Sequence, residues 1–465
     1  MKTREQWGSK LGFILAASGS AVGIGNIWKF PYIAGENGGG AFTLIYLLCI
    51  LIVGLTIEVV EFAIGRNTQS SPVGAFKKIA PNSNWKWVGF IGVLSSFVIL
   101  SYYGVVGGWI LKYIFISISG GFESLSNDPD KASKLFNTFI GTTWSPIVFM
   151  AVFNVLCVFV IIKGVKDGIE NWSKIMMPII TVLLLVLAIR GLTLPGGTQG
   201  LKFLFLPRFE DLTASAVVLA LGHSFFTLSL GMGNMITYGS YLGKEQNLLR
   251  SALWVIALDT AVALLAGVAI FTSVFATGAD PAGGAGLVFN ILPSIFPQLA
   301  YGSVWGTIFF ALLFMAALTS AISILEVVTA SLIDEKGWSR NRATILFGII
   351  VTIVGVFCSF SMGGGINIAE YFGDTFQHYL GTTFFDVMDN LSAKYLMPLG
   401  GTLTAIFVIV KWGVPSFIAE VGTSILDKEK DKTIVTIFLV IAAGVAGFIL
   451  LNELIETITG SAIIG

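Results

Sequence analysis

Apolar runs long enough to cross a bilayer recur eleven times along this sequence. A spanning helix needs roughly 20 apolar residues, because the hydrocarbon core is about 30 Å thick and a helix rises about 1.5 Å per residue. Inside lipid each backbone N–H and C=O must find a partner within the protein, which favours helices. The runs cover about residues 10–36, 41–66, 87–119, 146–163, 168–190, 213–240, 249–277, 303–333, 342–361, 382–411 and 433–452. They predict an all-α polytopic membrane protein with eleven transmembrane helices. Composition agrees: 55% of the 465 residues are hydrophobic and 12% are charged, against about 25% charged in soluble domains. No signal-peptide pattern precedes the first run, so that run is expected to stay as a helix.

Several function classes drop out early. Net charge is zero, so no basic surface points to nucleic acid. Cys49, Cys157 and Cys358 each sit in an apolar run, with no Cys-x-x-Cys spacing. They read as small buried residues rather than a disulfide framework or zinc site. His223 and His378 are the two histidines, too few for a multi-histidine metal centre. No Ser–His pairing stands out, so an intramembrane enzyme is not expected.

Lysine and arginine set the orientation. With the N-terminus cytoplasmic, nineteen of the 27 basic residues fall on the cytoplasmic side. Eleven crossings then leave the C-terminus extracellular or periplasmic, in a multi-pass protein of the cell membrane. The segment 280–298 carries Pro281, Pro293 and Pro297. It reads as a loop bearing a re-entrant or surface helix.

The first run contains an anomaly. Residues 18–31 read SGSAVGIGNIWKFP, with Gly19, Gly23 and Gly25 at mid-membrane, followed by Asn26 and Lys29. This is either a glycine-rich packing seam or a broken helix whose freed backbone groups meet a bound ion or solute. The sixth run repeats it: residues 227–234 read TLSLGMGN. Two breaks five helices apart enter from opposite sides, which is the mark of an inverted repeat with a solute site at the breaks. The repeats would cover about 10–190 and 213–411 of a single transporter domain, 1–465, with an additional helix at about 433–452.

Other polar residues lie at membrane depth: Asp259, the adjacent Thr319 and Ser320, and Tyr102 and Tyr103. A buried carboxylate is costly unless paired or coordinating a cation. Asp389 is a candidate partner for Lys29. The donor set is all oxygen, which suits hard cations and disfavours copper or zinc. Half-helix N-termini offer bare N–H groups to a carboxylate. Together these suggest a sodium-coupled carrier for an amino acid.

Specific motifs span nearly the whole chain: Trp7 with GSAVGIGNIWKFPYIAGENGGGAF (19–42), EFAIGR (61–66), SYYGVVGGW (101–109), SFFTLSLGMGNMITYGSY (224–241), ALTSAIS (317–323) and FDVMDN (385–390). On these motifs the chain resembles prokaryotic members of the neurotransmitter:sodium symporter family. The resemblance implies the LeuT-type fold, a 5+5 inverted repeat with broken helices 1 and 6. It implies two co-transported Na+ ions and no other cofactor. The first sodium site would use Ala21, Asn26, Thr227 and Asp259 with the substrate carboxylate. The second would use the Gly19, Val22 and Ala316 carbonyls with the Thr319 and Ser320 hydroxyls. The substrate carboxylate would meet Ile24, Gly25 and Tyr103. Its ammonium would meet main-chain carbonyls near Ala21, Phe226 and Thr227. Ile99, Phe226, Ser229, Met232, Ser320 and Ile324 would line the side-chain pocket. That pocket carries no counter-charge, so the expected substrate is a neutral hydrophobic amino acid.

The same resemblance implies gates. Lys29 with Asp389, and Tyr103 with Phe226, would close the outside. Arg4 with Asp334, near Ser240, Tyr241 and Trp7, would close the inside. Gly168 and Pro178 match a Gly-X9-Pro unwinding motif in the fifth helix. Three positions depart from commoner family patterns. Lys29 stands where many relatives have arginine, Asp259 where many have asparagine, and Ala263 where some carry glutamate or serine. Asp259 would then supply the negative charge that chloride supplies elsewhere, making transport chloride-independent. Two alternatives remain open: the same fold run by proton-driven exchange, and an amino-acid sensor that does not transport. The protein would work in the bilayer as a monomer or a homodimer.

Overall fold

Nine helices among the described residues are continuous, apolar and long enough to cross a membrane. They are Gly40–Thr68, Lys86–Ile118, Ser145–Ile162, Val165–Leu192, Leu248–Ala276, Gly302–Lys336, Arg340–Met362, Phe384–Trp412 and Asp431–Thr459. The computed structural model describes residues 4–125, 128–282, 284–363, 381–422, 430–459 and 462–464. His378 lies outside them. Among the described residues the only β-pairing is an isolated bridge, Gly39 to Pro207.

Two of the eleven expected spans are not continuous helices. The first is Lys10–Ala21 followed by Gly25–Glu36, bent by 50° between them. The sixth is Ala214–Thr227, then six residues of turn, then Asn234–Gly239. Among the described residues the count is therefore nine continuous spans, one bent pair and one interrupted segment. Glycine and small polar residues at mid-run remove the continuity that length alone predicts.

Span numbers below follow chain order, so the third is Lys86–Ile118 and the eighth Gly302–Lys336. These two are the most buried spans and pack along each other. Glycine lets the fourth span, Ser145–Ile162, come close: a Cβ on Gly108 would lie 2.5 Å from the Met150 backbone nitrogen. Segment 280–298 contains three short helical turns, Gly284–Leu287, Ile291–Ile295 and Phe296–Gln298. Phe289, between them, packs its ring against Trp109, Tyr113 and Phe136. Among the described residues this segment holds short helical turns, buried at 287–289 and 292–296, and no continuous re-entrant helix.

Candidate functional site

Ser9 starts the first span by accepting a hydrogen bond from the Gly12 N–H. The helix stops at Ala21 because Val22 is extended, with φ −68° and ψ 101°. The chain resumes through a wide π-turn over Gly25–Lys29, closed by the Phe30 N–H bonding to the Gly25 carbonyl. The sixth span breaks for a sharper reason: Ser229, Gly231 and Gly233 have φ of 54°, 76° and 79°. Two of the three are glycines, which reach this region without a Cβ clash. Ser229 has no such freedom, and its hydroxyl is tied to the Ser20 carbonyl at 3.0 Å. Gly231 donates its N–H to Glu61 Oε1 at 2.8 Å, which satisfies a freed donor at the break.

Around these breaks the structure gathers residues far apart in sequence. Asn26, Thr227 and Asp259 meet in one buried cluster. Asn26 Nδ2 donates to Asp259 Oδ1 at 2.7 Å, and its Oδ1 accepts from the Gly23 N–H at 3.0 Å. Thr227 Oγ1 donates to Asp259 Oδ1 at 3.2 Å. Asp259 is fully buried.

A second cluster joins the first and eighth spans. Ser320 Oγ lies 3.5 Å from the Gly19 carbonyl, 2.9 Å from that of Ser20 and 3.3 Å from that of Val22. Thr319 Oγ1 lies 3.5 Å from the Val22 carbonyl and 3.0 Å from that of Ala316. All five expected members of the second sodium site are therefore in one place.

Between the clusters is a small cavity of about 20 Å³, room for about one water. Ala21, Gly25, Ile99, Tyr103, Phe226, Ser229, Met232, Ser320 and Ile324 line it, with Ser20 and Gly23. Ile24 and Thr227 are absent from the lining. The Ile24 N–H points instead to the Tyr103 hydroxyl at 3.3 Å, and Thr227 turns to Asp259. A Cβ at Gly23 would sit 2.4 Å from Ser320 Oγ and 2.8 Å from the Tyr103 hydroxyl. Glycine there lets the first break approach the eighth and third spans this closely.

Both of the expected gate pairs, Lys29–Asp389 and Arg4–Asp334, are in contact. Lys29 Nζ is 3.1 Å from Asp389 Oδ1 and 4.1 Å from the centre of the Phe226 ring. On the opposite side, Arg4 grips Asp334 through one nitrogen, at 2.5 and 2.6 Å, and reaches Ser240 Oγ at 2.7 Å. Its guanidinium covers the Tyr241 ring at 4.7 Å. Trp7 donates its indole N–H to the Tyr238 carbonyl at 3.0 Å and packs edge-on against the Tyr241 ring. In the fifth span Gly168 belongs to the π-turn Val165–Glu170, and Pro178 lies inside continuous helix Asn171–Leu192.

Some residues around the site carry bonds that the sequence pattern did not single out. Glu61 sits within a quoted motif but received no role there. Tyr241 donates to the fully buried Glu326 at 2.6 Å. Arg340 pairs with Glu326 at 2.7 Å and with Glu5 at 3.1 Å. A carboxylate inside an apolar run was the available signal for Glu61 and Glu326. Ser20, Asn234, Ser96 and Ser323 form a further network, and nothing in their residue types sets them apart from ordinary polar residues.

The sodium:neurotransmitter symporter family model matches residues 4–128 and 130–454. The chain is similar to an uncharacterized sodium-dependent transporter of Bacillus subtilis, YhdH, at 42% identity over 89% of this chain and 90% of the relative. A second uncharacterized sodium-dependent transporter, from Haemophilus influenzae, is 36% identical over 88% of this chain and 89% of its own. Among solved structures, that of MhsT in complex with L-phenylalanine matches with a TM-score of 0.86 and 43% identity, covering 97% of this chain and 99% of the other.

Proposed function

This chain belongs to the sodium:neurotransmitter symporter family, and on that premise we propose that it imports neutral hydrophobic amino acids, aliphatic or aromatic, together with sodium. Family members are sodium-coupled transporters rather than enzymes, and their ions are cargo. The observation that carries the substrate reading is the cavity wall. Ile99, Met232, Ile324 and Phe226 present apolar surface, and among the described residues no charged side chain lines the cavity. A charged substrate side chain would lose hydration there without gaining a partner. MhsT, solved with L-phenylalanine, supports the same class.

The substrate carboxylate would sit beside Asn26, Thr227 and Asp259, completing the first sodium shell with the Ala21 carbonyl. Backbone N–H groups of Ile24 and Gly25, with the Tyr103 hydroxyl, would hold the same carboxylate. Carbonyls near Ala21, Phe226 and Thr227 would take the ammonium. Coupling is then direct, because neither sodium nor substrate has a full shell without the other. The second sodium would fill the oxygen cluster of Gly19, Val22, Ala316, Thr319 and Ser320. At about 20 Å³ the cavity admits an amino acid only when its walls part. The glycine-rich turn at Gly231 and Gly233 would let Phe226 and Met232 move apart.

Alternating access would run by releasing Lys29–Asp389 on one side and Arg4–Asp334 on the other, with Gly168 and Pro178 loosening the fifth span. The two breaks support inverted repeats at about 10–190 and 213–411. The Lys/Arg distribution supports a cytoplasmic N-terminus and an external C-terminus. Charge at Asp259 supports chloride-independent transport. Competition by each of the twenty amino acids against sodium-dependent binding of tritiated L-phenylalanine tests the reading. Aliphatic and aromatic residues should displace the tracer; displacement by lysine or glutamate instead would overturn it.

A further inference from the structure

One polar network beside the cavity shares only Ser20 with the clusters described above. Asn234 is fully buried, at the first turn of the second half of the sixth span. Its amide nitrogen reaches Ser20 Oγ of the first span at 3.2 Å and Ser323 Oγ of the eighth at 3.0 Å. Its amide oxygen lies 3.5 Å from Ser96 Oγ of the third span. Ser20 Oγ donates directly to Ser323 Oγ at 2.7 Å, so three side chains close a triangle. Ser96 also donates to the Met232 carbonyl at 2.8 Å, fixing a residue that lines the cavity. Four spans converge here, and two of them are the broken ones.

We infer that Asn234 is a positioning residue that holds the first and eighth spans in register and so pre-assembles the second sodium site. This rests on the sodium-coupled reading above. The second site takes Gly19 and Val22 from the first span and Ala316, Thr319 and Ser320 from the eighth. Ser20 lies next to Gly19, and Ser323 lies one turn beyond Ser320 on the eighth span. Ser323 Oγ also donates to the Ser320 carbonyl at 2.7 Å. The Asn234 bridge therefore fixes the spacing of the two oxygen sets one turn from where the ion would bridge them. Without the bridge, the Ser20–Ser323 and Ser320–Ser20 bonds are left to hold the two spans, so the ion must supply more of the ordering and binds more weakly. Span 6 separates from span 8 only if the Asn234–Ser323 bond breaks, and span 1 only if the Ser20–Ser323 bond breaks, so the network also favours the state in which both expected gate pairs are in contact.

The test uses the full chain in detergent and tritiated L-phenylalanine as the probe. It reads the sodium concentration for half-maximal binding, and separately the L-phenylalanine affinity at saturating sodium. For Asn234→Ala, half-maximal sodium should rise about tenfold, the equivalent of one buried hydrogen bond. Affinity at saturating sodium should stay within about twofold, because no contact to the amino acid is lost. Ser323→Ala should act in the same direction, and the double variant should show less than the product of the two effects, because the residues share one bond. Ser323→Ala removes a single hydroxyl from a continuous helix, so it carries the test if Asn234→Ala does not fold. An unchanged sodium requirement in folded variants overturns the inference. Multiplying effects in the double variant would overturn it as well, as would an equal loss of affinity at saturating sodium. Failure of the unaltered protein to bind L-phenylalanine with sodium is a different result, and it removes the proposed function instead.

Discussion

Ser320 donates its hydroxyl to the carbonyl oxygen of Ser20 at 2.9 Å, across 300 residues of sequence. The acceptor is one of the last carbonyls of a helix that ends at Ala21. In a continuous helix that oxygen would bond four residues onward. The break frees it, and a hydroxyl from the eighth span takes the bond. The same logic runs through the site: broken backbone supplies oxygens, and an unbroken helix presents hydroxyls to them.

Tyr103 faces the backbone of the first break, with its hydroxyl 3.3 Å from the Ile24 nitrogen. Tyr103→Phe should weaken every amino-acid substrate alike, by roughly tenfold, because it removes a contact to the shared carboxylate. Binding isotherms for L-leucine and L-phenylalanine check this. A change in selectivity with L-leucine affinity intact would contradict the carboxylate assignment.

In the proposed function Asp259 supplies a negative charge beside Asn26 and Thr227. Sodium-driven uptake into vesicles should therefore persist when chloride is replaced by gluconate. A collapse of uptake in gluconate would show that Asp259 does not supply the missing charge.

Glu420 lies outside the spanning helices, on the short helix Val414–Val421. Burial alone would raise its carboxyl. Hydrogen bonds from Asn67, Lys244 and Arg66 outweigh burial and hold it below the usual carboxylate range. A depressed native pKa adds stability that is complete above the unfolded value and lost as pH falls through the native one. Glu420→Gln should thus lower thermal stability at neutral pH. The gap to the unaltered protein should close on acidification below about pH 4, where glutamate titrates when unfolded. A gap that stays constant between pH 7 and pH 3 would rule out the ionised cluster.

Glu58 is fully buried, and among the described residues neither of its carboxyl oxygens has a hydrogen-bond partner. An unpartnered buried polar group costs about 1–3 kcal/mol. Glu58→Leu should raise the thermal unfolding temperature in detergent. A lower temperature would mean that this carboxyl has a stabilising partner.

Much of the architecture was legible because lipid enforces simple rules. Run length located the spans, and paired glycine-rich interruptions marked the first and sixth as different. Helical continuity was harder to read, since apolar length alone predicts straight helices at 10–36 and 213–240. There Val22 turns extended and Ser229 takes a left-handed φ. Segment 280–298 reads as a loop bearing a re-entrant or surface helix because its prolines and apolar residues are ambiguous. It folds as short, largely buried helical turns, with Phe289 packed on Trp109 and Tyr113 of the third span and on Phe136.

The sequence by itself determined the membrane class, the places of the apolar runs, the two glycine-rich interruptions and an all-oxygen donor set suited to hard cations. These follow from composition and spacing, which act locally. Tertiary structure decided which donors meet. Asn234 looks like any amide beside a glycine until Ser20 and Ser323 arrive on either side of it. Glu61 and Glu326 look like costly buried acids until the Gly231 N–H and Arg340 reach them. Contacts between spans hundreds of residues apart depend on helix register and tilt, which packing sets, and no local pattern encodes them.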